Sequence, residues 1–118
     1  MGVEEFLAPG ETVRFASRDT VTYQDQEYEF YITDRRLIWF SSKGGLILKK
    51  KNLLSVPIEQ VRNVAYEEKG GLVKKRARIE IIMADRRYEF SGTAQSMRAI
   101  YGELQAHMVP AGGKQGTQ

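Results

Sequence analysis

The chain has 118 residues, of which 42% are hydrophobic and 28% are charged, and this balance is typical of one globular domain rather than a disordered chain. It contains no Cys and a single His, which excludes disulfides, thiolate metal sites and most His-based catalysis. The formal net charge of +3 permits anionic partners without requiring them. No apolar run approaches the roughly 20 residues that cross a bilayer. The acidic N-terminus also lacks the apolar stretch of a secretory signal, so we expect a cytoplasmic protein.

Short alternations of apolar and polar residues follow one another along most of the chain and predict strands. The predicted strands are seven: residues 11–21, 26–33, 37–41, 46–56, 61–68, 72–83 and 87–91. In the first, Val13 and Phe15 are expected to share an apolar face. The faces expected to be apolar in the second, sixth and seventh strands are Tyr28, Phe30 and Ile32; Ala77, Ile79, Ile81 and Met83; and Tyr88 and Phe90. In the link after residue 33, the Asp34 side chain is expected to accept hydrogen bonds from the backbone just ahead of it.

The last element has helical periodicity. An apolar stripe predicts an amphipathic helix that starts near residue 93 and ends at Val109-Pro110. The stripe consists of Met97, Ile100, Tyr101, Leu104 and Met108. Thr93 or Ser91 can cap its start. Gly102 either lowers the stability of this helix by about 1 kcal/mol relative to Ala or marks a close packing contact.

Taken together, these elements predict a mainly β domain with one C-terminal helix: a seven-stranded antiparallel barrel or sandwich whose open end is capped by the helix. We expect residues 1–10 to be a lead-in, residues 11–108 to form the domain, and residues 109–118 to be a disordered tail.

Three segments have distinctive local sequences: residues 7–11 (LAPGE), 31–38 (YITDRRLI) and 56–64 (VPIEQVRNV). Together with the order of the elements and the helix after residue 92, these segments resemble the pleckstrin-homology-like (PH-like) superfold, in particular the small bacterial PH-domain families. GRAM domains share this fold and are a neighbouring alternative. The resemblance implies a binding or scaffolding module rather than an enzyme, and it implies no particular ligand. Residues 17–26 contain one Arg and two Asp, whereas PH domains that bind phosphoinositides usually carry several basic residues there.

Positive charge is concentrated between Lys43 and Arg78, where ten basic and three acidic residues give a net charge of +7 against −4 for the remainder. This asymmetry is compatible with an anionic partner, or with lysines that protect exposed strands from aggregation. The candidate anion- or lipid-binding residues share the solvent-facing positions of two strands: Lys49, Lys51, Lys74, Arg76 and Arg78. Strand pairing decides whether these two rows meet.

Other motifs favour structural roles. The aromatic residues near the cations alternate within strands, so we expect a core rather than a nucleic-acid platform. Arg35-Arg36 and Arg86-Arg87 follow Asp at turns, which is compatible with a phosphate clamp but favours turn chemistry with ion pairs. We find no catalytic constellation and expect neither a cofactor nor a metal. The sequence therefore predicts a non-enzymatic module for protein interaction or self-assembly, with homo-oligomers included; the alternative is peripheral binding to anionic membrane lipids through a basic strand face.

Overall fold

The computed structural model describes residues 2–44, 49–70 and 75–108, with residues 43, 44, 49 and 108 described by their backbone alone. Eight strands precede one long helix: β1 Val13–Ala16, β2 Val21–Tyr23, β3 Gln26–Thr33, β4 Arg36–Gly44, β5 Lys49–Pro57, β6 Val61–Gly70, β7 Lys75–Met83, β8 Arg87–Thr93 and α1 Ala94–Met108. Short 3-10 turns lie at Val3–Phe6 and Ile58–Gln60. The mainly β class with one C-terminal helix is therefore confirmed. The predicted tail, residues 109–118, lies outside the described residues.

All strand pairs are antiparallel, in the order β5-β4-β3-β2-β8-β7-β6, with β1 paired to β3 beside this path. The sheet does not close, because β5 and β6 stand at its two ends. Of the two predicted forms, the sandwich capped by a helix describes the chain. The strand predicted at residues 11–21 is two strands, since the Ser17 hydroxyl accepts the Phe30 N–H (3.2 Å) and donates to the Asp19 carbonyl (2.9 Å). The interruption lets β2 pair with β8 as well as with β3.

The main core lies between the two halves of the sheet and α1, and it contains the predicted faces of β3, β7 and β8. Of the helix stripe, Met97, Ile100 and Leu104 are fully buried in this core and Tyr101 packs against it, whereas the Met108 side chain lies outside the described part. The Thr93 hydroxyl accepts the Ser96 N–H at 3.3 Å, so Thr93 caps the helix. A Cβ added at Gly102 would meet nothing within 4 Å, so Gly102 marks no close contact.

A second cluster covers the opposite face of β4. Val3, from the N-terminal 3-10 turn, is buried there with Ile38 and Phe40. Val13 packs against this cluster, whereas Phe15 packs against the main core. The prediction that these two side chains share a face is wrong because a β-bulge between them shifts the alternation.

The link between β3 and β4 is held by Thr33 rather than by Asp34. The Thr33 hydroxyl accepts the N–H groups of Arg35 and Arg36 at 3.0 and 2.9 Å. The Asp34 carboxylate instead accepts the Thr12 N–H at 2.9 Å, which ties this link to the chain before β1. The local role predicted for Asp34 is therefore wrong.

Candidate functional site

The two basic rows predicted from the sequence lie on strands that are not neighbours. Lys49 and Lys51 belong to β5 at one end of the sheet, whereas Arg76 and Arg78 belong to β7, and four strands lie between β5 and β7 in the order. Lys49 pairs through its backbone with Gly44. Lys74 lies outside the described residues. The sheet therefore brings Arg76 and Arg78 onto one face without joining them to the β5 row.

Lys51 holds the N-terminal turn. Its Nζ lies 3.0 and 3.1 Å from the two carboxylate oxygens of Glu5, and both side chains are about one-third exposed. The charge of Lys51 is thus matched by an acidic residue 46 positions earlier. An external anion would have to compete with Glu5 for Lys51.

Arg78 is also matched within the chain. Its guanidinium donates to Glu89 at 2.9 Å and forms an ion pair with Glu67 on the other side. Strand register places Glu67 directly opposite Arg78 across β6 and β7. The hydrogen bond to Glu89, together with both carboxylates, raises the pKa of Arg78. An external anion would have to compete with two carboxylates at this position.

Arg76 has a different environment. It lies directly opposite Lys69 of β6, and the next pair is Gly70 opposite Lys75. All three basic residues are exposed, and none forms an ion pair within the described part of the chain. Like charges directly opposite one another repel. Sequence periodicity did not find Lys69, because its place beside Arg76 depends on the β6–β7 register.

Two of these cations, Lys69 and Arg76, line a shallow cavity of about 150 Å³ on the outer face of β6, β7 and β8. Its lining residues are Glu67, Lys69, Arg76, Ala77, Arg78 and Ser91. The lining mixes two free cations with the Arg78–Glu67 ion pair. We name the group Lys69, Lys75 and Arg76 the basic end of the β6–β7 hairpin.

The second candidate surface is the outer edge of β6. Neither β5 nor β6 has a second strand partner among the described residues. Each of the ten residues of β6 is half-buried or exposed, and the Val64 N–H donates to the side-chain oxygen of Asn63 at 2.8 Å. A side-chain acceptor on a strand amide is compatible with an edge that has no strand beside it.

The paired arginines are engaged within the chain rather than arranged as a phosphate clamp. Arg36 binds Glu11, Arg86 lies 3.5 Å from Asp85, and Arg87 lies 3.2 Å from Glu80.

Trp39 and Phe40 are buried, so they offer no stacking surface for bases. The part of the chain that the structure describes contains no group of three metal-ligating side chains. None of its helices has the length and apolarity needed to cross a membrane.

Solved structures with the same arrangement were found at low sequence identity. A pleckstrin homology domain from Shewanella amazonensis SB2B superposes with a TM-score of 0.63 at 18% identity, covering 90% of this chain and 91% of that one. The chain has a PH-like fold. A DUF1696-family protein with a pleckstrin-homology domain from Shewanella loihica PV-4 (TM-score 0.60, 17% identity, covering 90% and 86%) and the Vps36 N-terminal PH domain (0.57, 16%, 87% and 80%) share the fold. No protein-family model matches the chain, and no curated protein matches it.

The structure thus confirms the PH-like fold that the sequence resemblance implied. The helix α1 packs against β6, β7 and β8, as expected for a helix that caps the sandwich. Since the solved structures are 16–18% identical to this chain, they establish its fold, and its binding surfaces have to be argued from its own residues.

Proposed function

We propose that the chain is a non-enzymatic interaction module that associates with protein chains, its own copies included, by adding a strand at a free edge of its sheet. The observation that carries this proposal is the open sheet, in which β5 and β6 are terminal strands. An edge strand presents unpaired N–H and C=O groups that a second strand can satisfy.

The edges at the two ends of the strand order differ in how well they are protected, while β1, whose one described partner is β3, is a shorter edge of four residues. β5 carries three consecutive lysines at positions 49–51 and ends at Pro57, and lysine and proline are residues that discourage strand addition. β6 has ten residues, contains no proline and presents half-buried Val64 and Tyr66 on its core side. Its bulge lies near one end, between Val61 and Asn63, and its charged residues flank an uncharged segment at residues 63–66. These differences favour β6 as the binding edge.

Light scattering over a concentration series tests this function. Because strand addition depends on backbone hydrogen bonds, the mass should rise above 13.5 kDa with concentration and change little between low and high salt. A mass of one chain at every concentration would overturn the proposal. Association that disappears in high salt would also overturn it, since that behaviour indicates charge attraction between surfaces.

A second function is favoured by the basic end of the β6–β7 hairpin. We propose that Arg76, with Lys69 and Lys75, attracts anionic lipid headgroups and places a cytoplasmic chain at the membrane surface. Unmatched cations near an acidic membrane contribute on the order of 1 kcal/mol each. Of the residues predicted from the sequence, Arg76 carries this function, because Lys51 and Arg78 are already paired.

Vesicle sedimentation tests the second function. A double variant, Lys69→Gln with Arg76→Gln, should lose most binding to vesicles containing phosphatidylserine at low salt. The matched control is Arg14→Gln with Arg18→Gln, which removes two exposed cations from β1 and from the link between β1 and β2. Equal binding by both variants, or no binding by the wild type, would contradict the proposal.

A further inference from the structure

We propose that the outer face of β4 is an interaction site for the N-terminal 3-10 turn, Val3–Phe6, of a second copy of this chain. Two copies would then exchange their N-terminal turns and form a dimer. This inference goes beyond the pairing of sheet edges proposed above and does not depend on it. Exchange of an identical element is a low-cost route to a dimer, because each contact of the single chain is formed again between the copies.

The outer face of β4 is apolar and has to be covered. Ile38 and Phe40 belong to a cluster that is separate from the main core. Tyr31 of β3 and Leu53 of β5 flank these residues and pack against the same cluster. The cover is Val3 of the same chain, which is 1% exposed. Burial of this face therefore depends on an N-terminal turn, which its own chain or a second copy can supply.

The contacts that hold the N-terminal turn do not require its link to the rest of the chain. The Phe6 carbonyl accepts a hydrogen bond from Arg36 at 2.7 Å, and the Phe6 ring centroid lies 5.7 Å from that of Phe40. The Glu5 carboxylate lies 3.0 Å from the Lys51 Nζ. Within the described part of the chain, the backbone-to-backbone hydrogen bonds of this turn are internal, so no strand register ties it to the sheet. The turn of a second copy can form each of these contacts in the same geometry.

A β-turn at residues 8–11 is the link that opens in the exchanged dimer. Pro9 and Gly10 occupy its central positions, and the φ of Gly10 is +82°. The Glu11 N–H donates to the Ala8 carbonyl at 2.9 Å, as in a type II turn. When closed, this β-turn returns the N-terminal turn to β4 of the same chain. When extended, residues 7–10 reach about 14 Å and carry the N-terminal turn to a neighbouring copy.

Phe6 favours the exchanged form over the closed chain. It is 40% exposed, and it is the one large apolar residue that is exposed in the described part of the chain. Because Phe6 is next to the link that opens, the second domain of an exchanged dimer would lie beside it and cover it. The exchanged dimer therefore buries apolar surface that the closed chain leaves in water.

Protein concentration decides between the two forms. A short link holds the N-terminal turn near its own site at an effective concentration on the order of 1 mM, so the closed chain prevails in dilute solution. We expect exchange in the wild type as the protein concentration approaches this value. A substitution that opens the link shifts exchange to lower concentration, because it destabilises the closed chain and leaves the exchanged contacts intact.

Cross-linking of the wild type measures exchange directly. A carbodiimide condenses the Glu5 carboxylate with the Lys51 amine, with loss of water, because the two groups are in contact. Equal amounts of heavy-isotope-labelled and unlabelled chains are equilibrated at about 1 mM and then treated with the reagent. Mass spectrometry of the digested protein identifies the linked peptides. Those that combine one heavy and one light half report exchange, since a closed chain links two halves of the same label.

The internal control is the pair Glu4 and Lys50, which are exposed neighbours of Glu5 and Lys51 and form no ion pair within the described residues. Mixed heavy–light links between Glu5 and Lys51 should exceed those between Glu4 and Lys50 by about tenfold, and their share should fall on dilution. Equal amounts of the two mixed links would overturn the proposal. Glu5–Lys51 links without any mixed product would overturn it as well.

A mixture of two charge variants provides an independent test. In Glu5→Lys or Lys51→Glu alone, like charges face each other in both the closed and the exchanged form. In the mixture, an exchanged dimer with one chain of each kind restores opposite charges at both sites. Its dissociation constant should therefore be about tenfold lower than that of either variant alone. A mixture of Glu4→Lys and Lys50→Glu chains is the control, and an equal gain in that mixture would contradict the Glu5–Lys51 contact between copies.

The link itself supplies a third measurement. Gly10→Val disfavours the positive φ of the closed β-turn and favours an extended chain, so it should lower the dimer dissociation constant about tenfold relative to the wild type. Combining it with Val3→Ser removes the side chain that fills the site and should abolish the dimer. Circular dichroism checks that each variant is folded. A folded Gly10→Val variant that dimerises no more than the wild type would contradict the exchange.

Failure of the exchange can be distinguished from failure of edge pairing. If the wild type associates without mixed Glu5–Lys51 links, the copies meet at another surface and the exchange is wrong, whereas edge pairing stands. If mixed links form and Val3→Ser abolishes all association, the exchange is supported and edge pairing is wrong. If the wild type has the mass of one chain at every concentration and yields no mixed links, both proposals are wrong.

Discussion

The Arg36 guanidinium binds the Glu11 carboxylate in a bidentate manner, with Nε 2.9 Å from Oε2 and Nη2 3.1 Å from Oε1. The Glu11 side chain is fully buried, and Thr33 and the Ala8 N–H donate further hydrogen bonds to it at 2.7 and 2.8 Å. Arg36 also donates to the Phe6 carbonyl at 2.7 Å. This one ion pair fastens the N-terminal segment to the link between β3 and β4.

The Glu11–Arg36 pair predicts acid sensitivity. The hydrogen bond from Arg36 lowers the pKa of Glu11 from 4.5 to about 2. A carboxyl with a lowered folded-state pKa stabilises the fold above pH 4.5 and loses that contribution as the pH falls towards 2. Glu11 should therefore contribute roughly 3 kcal/mol at neutral pH. In urea unfolding across this pH range, the free energy of unfolding of the Glu11→Gln variant should depend less on pH than that of the wild type.

The exposed Glu59 is the control for this experiment. Glu59→Gln should leave both the stability at neutral pH and the acid dependence close to those of the wild type. If Glu11→Gln and Glu59→Gln have the same pH profile, Glu11 does not account for the acid sensitivity.

Leu104 is the second site for a stability measurement. It is fully buried in the main core, so Leu104→Ala should lower the free energy of unfolding by about 2–5 kcal/mol. Gln105→Ala, at the exposed neighbouring position, should change it little. Similar urea midpoints for the two variants would mean that α1 does not pack on the sheet as described.

Gly102 should be replaceable with a gain in stability. It is exposed within α1 and an added Cβ would meet no atom within 4 Å, so Gly102→Ala should stabilise the fold by up to about 1 kcal/mol. Gly10 provides the contrast, because its φ of +82° is a conformation that residues with a side chain rarely adopt. Gly10→Ala should therefore lower the melting temperature, whereas Gly102→Ala should raise it.

Val3 tests whether the N-terminal segment belongs to the folded unit. It is 1% exposed and packs with Ile38 and Phe40, so Val3→Ser should cost roughly 1.5–3 kcal/mol of unfolding free energy. Glu4→Ser changes an exposed position in the same turn and should have little effect. Unchanged stability of the Val3 variant would place the start of the folded unit after residue 10, as the sequence predicts.

Regular patterns allowed much of this architecture to be predicted. The period of two in β3 and β7 identified Phe30, Ile79 and Ile81 as core residues, and all three are fully buried. The helical stripe identified Leu104 in the same way. These predictions hold because alternation and helical periodicity depend on backbone geometry that a run of a few residues already specifies.

The interruption of the first predicted strand was harder to anticipate. Residues 11–21 have a continuous strand-like pattern, yet the Ser17 hydroxyl bonds to Phe30 and divides the segment. The bulge after Val13 likewise depends on how β1 meets β3. Both features arise from contacts between distant parts of the chain, so a local pattern could not indicate them.

By itself, the sequence determined which residues face solvent on β7, and Arg76 and Arg78 are exposed as expected. Only the tertiary structure decided that Glu67 and Glu89 neutralise Arg78, that Glu5 holds Lys51, and that Arg76 meets Lys69. It also decided that β5 and β6 stand at the two ends of an open sheet. The reason is physical: the face of a side chain follows from the local backbone period, whereas its partners follow from strand order and register, which join residues far apart in sequence.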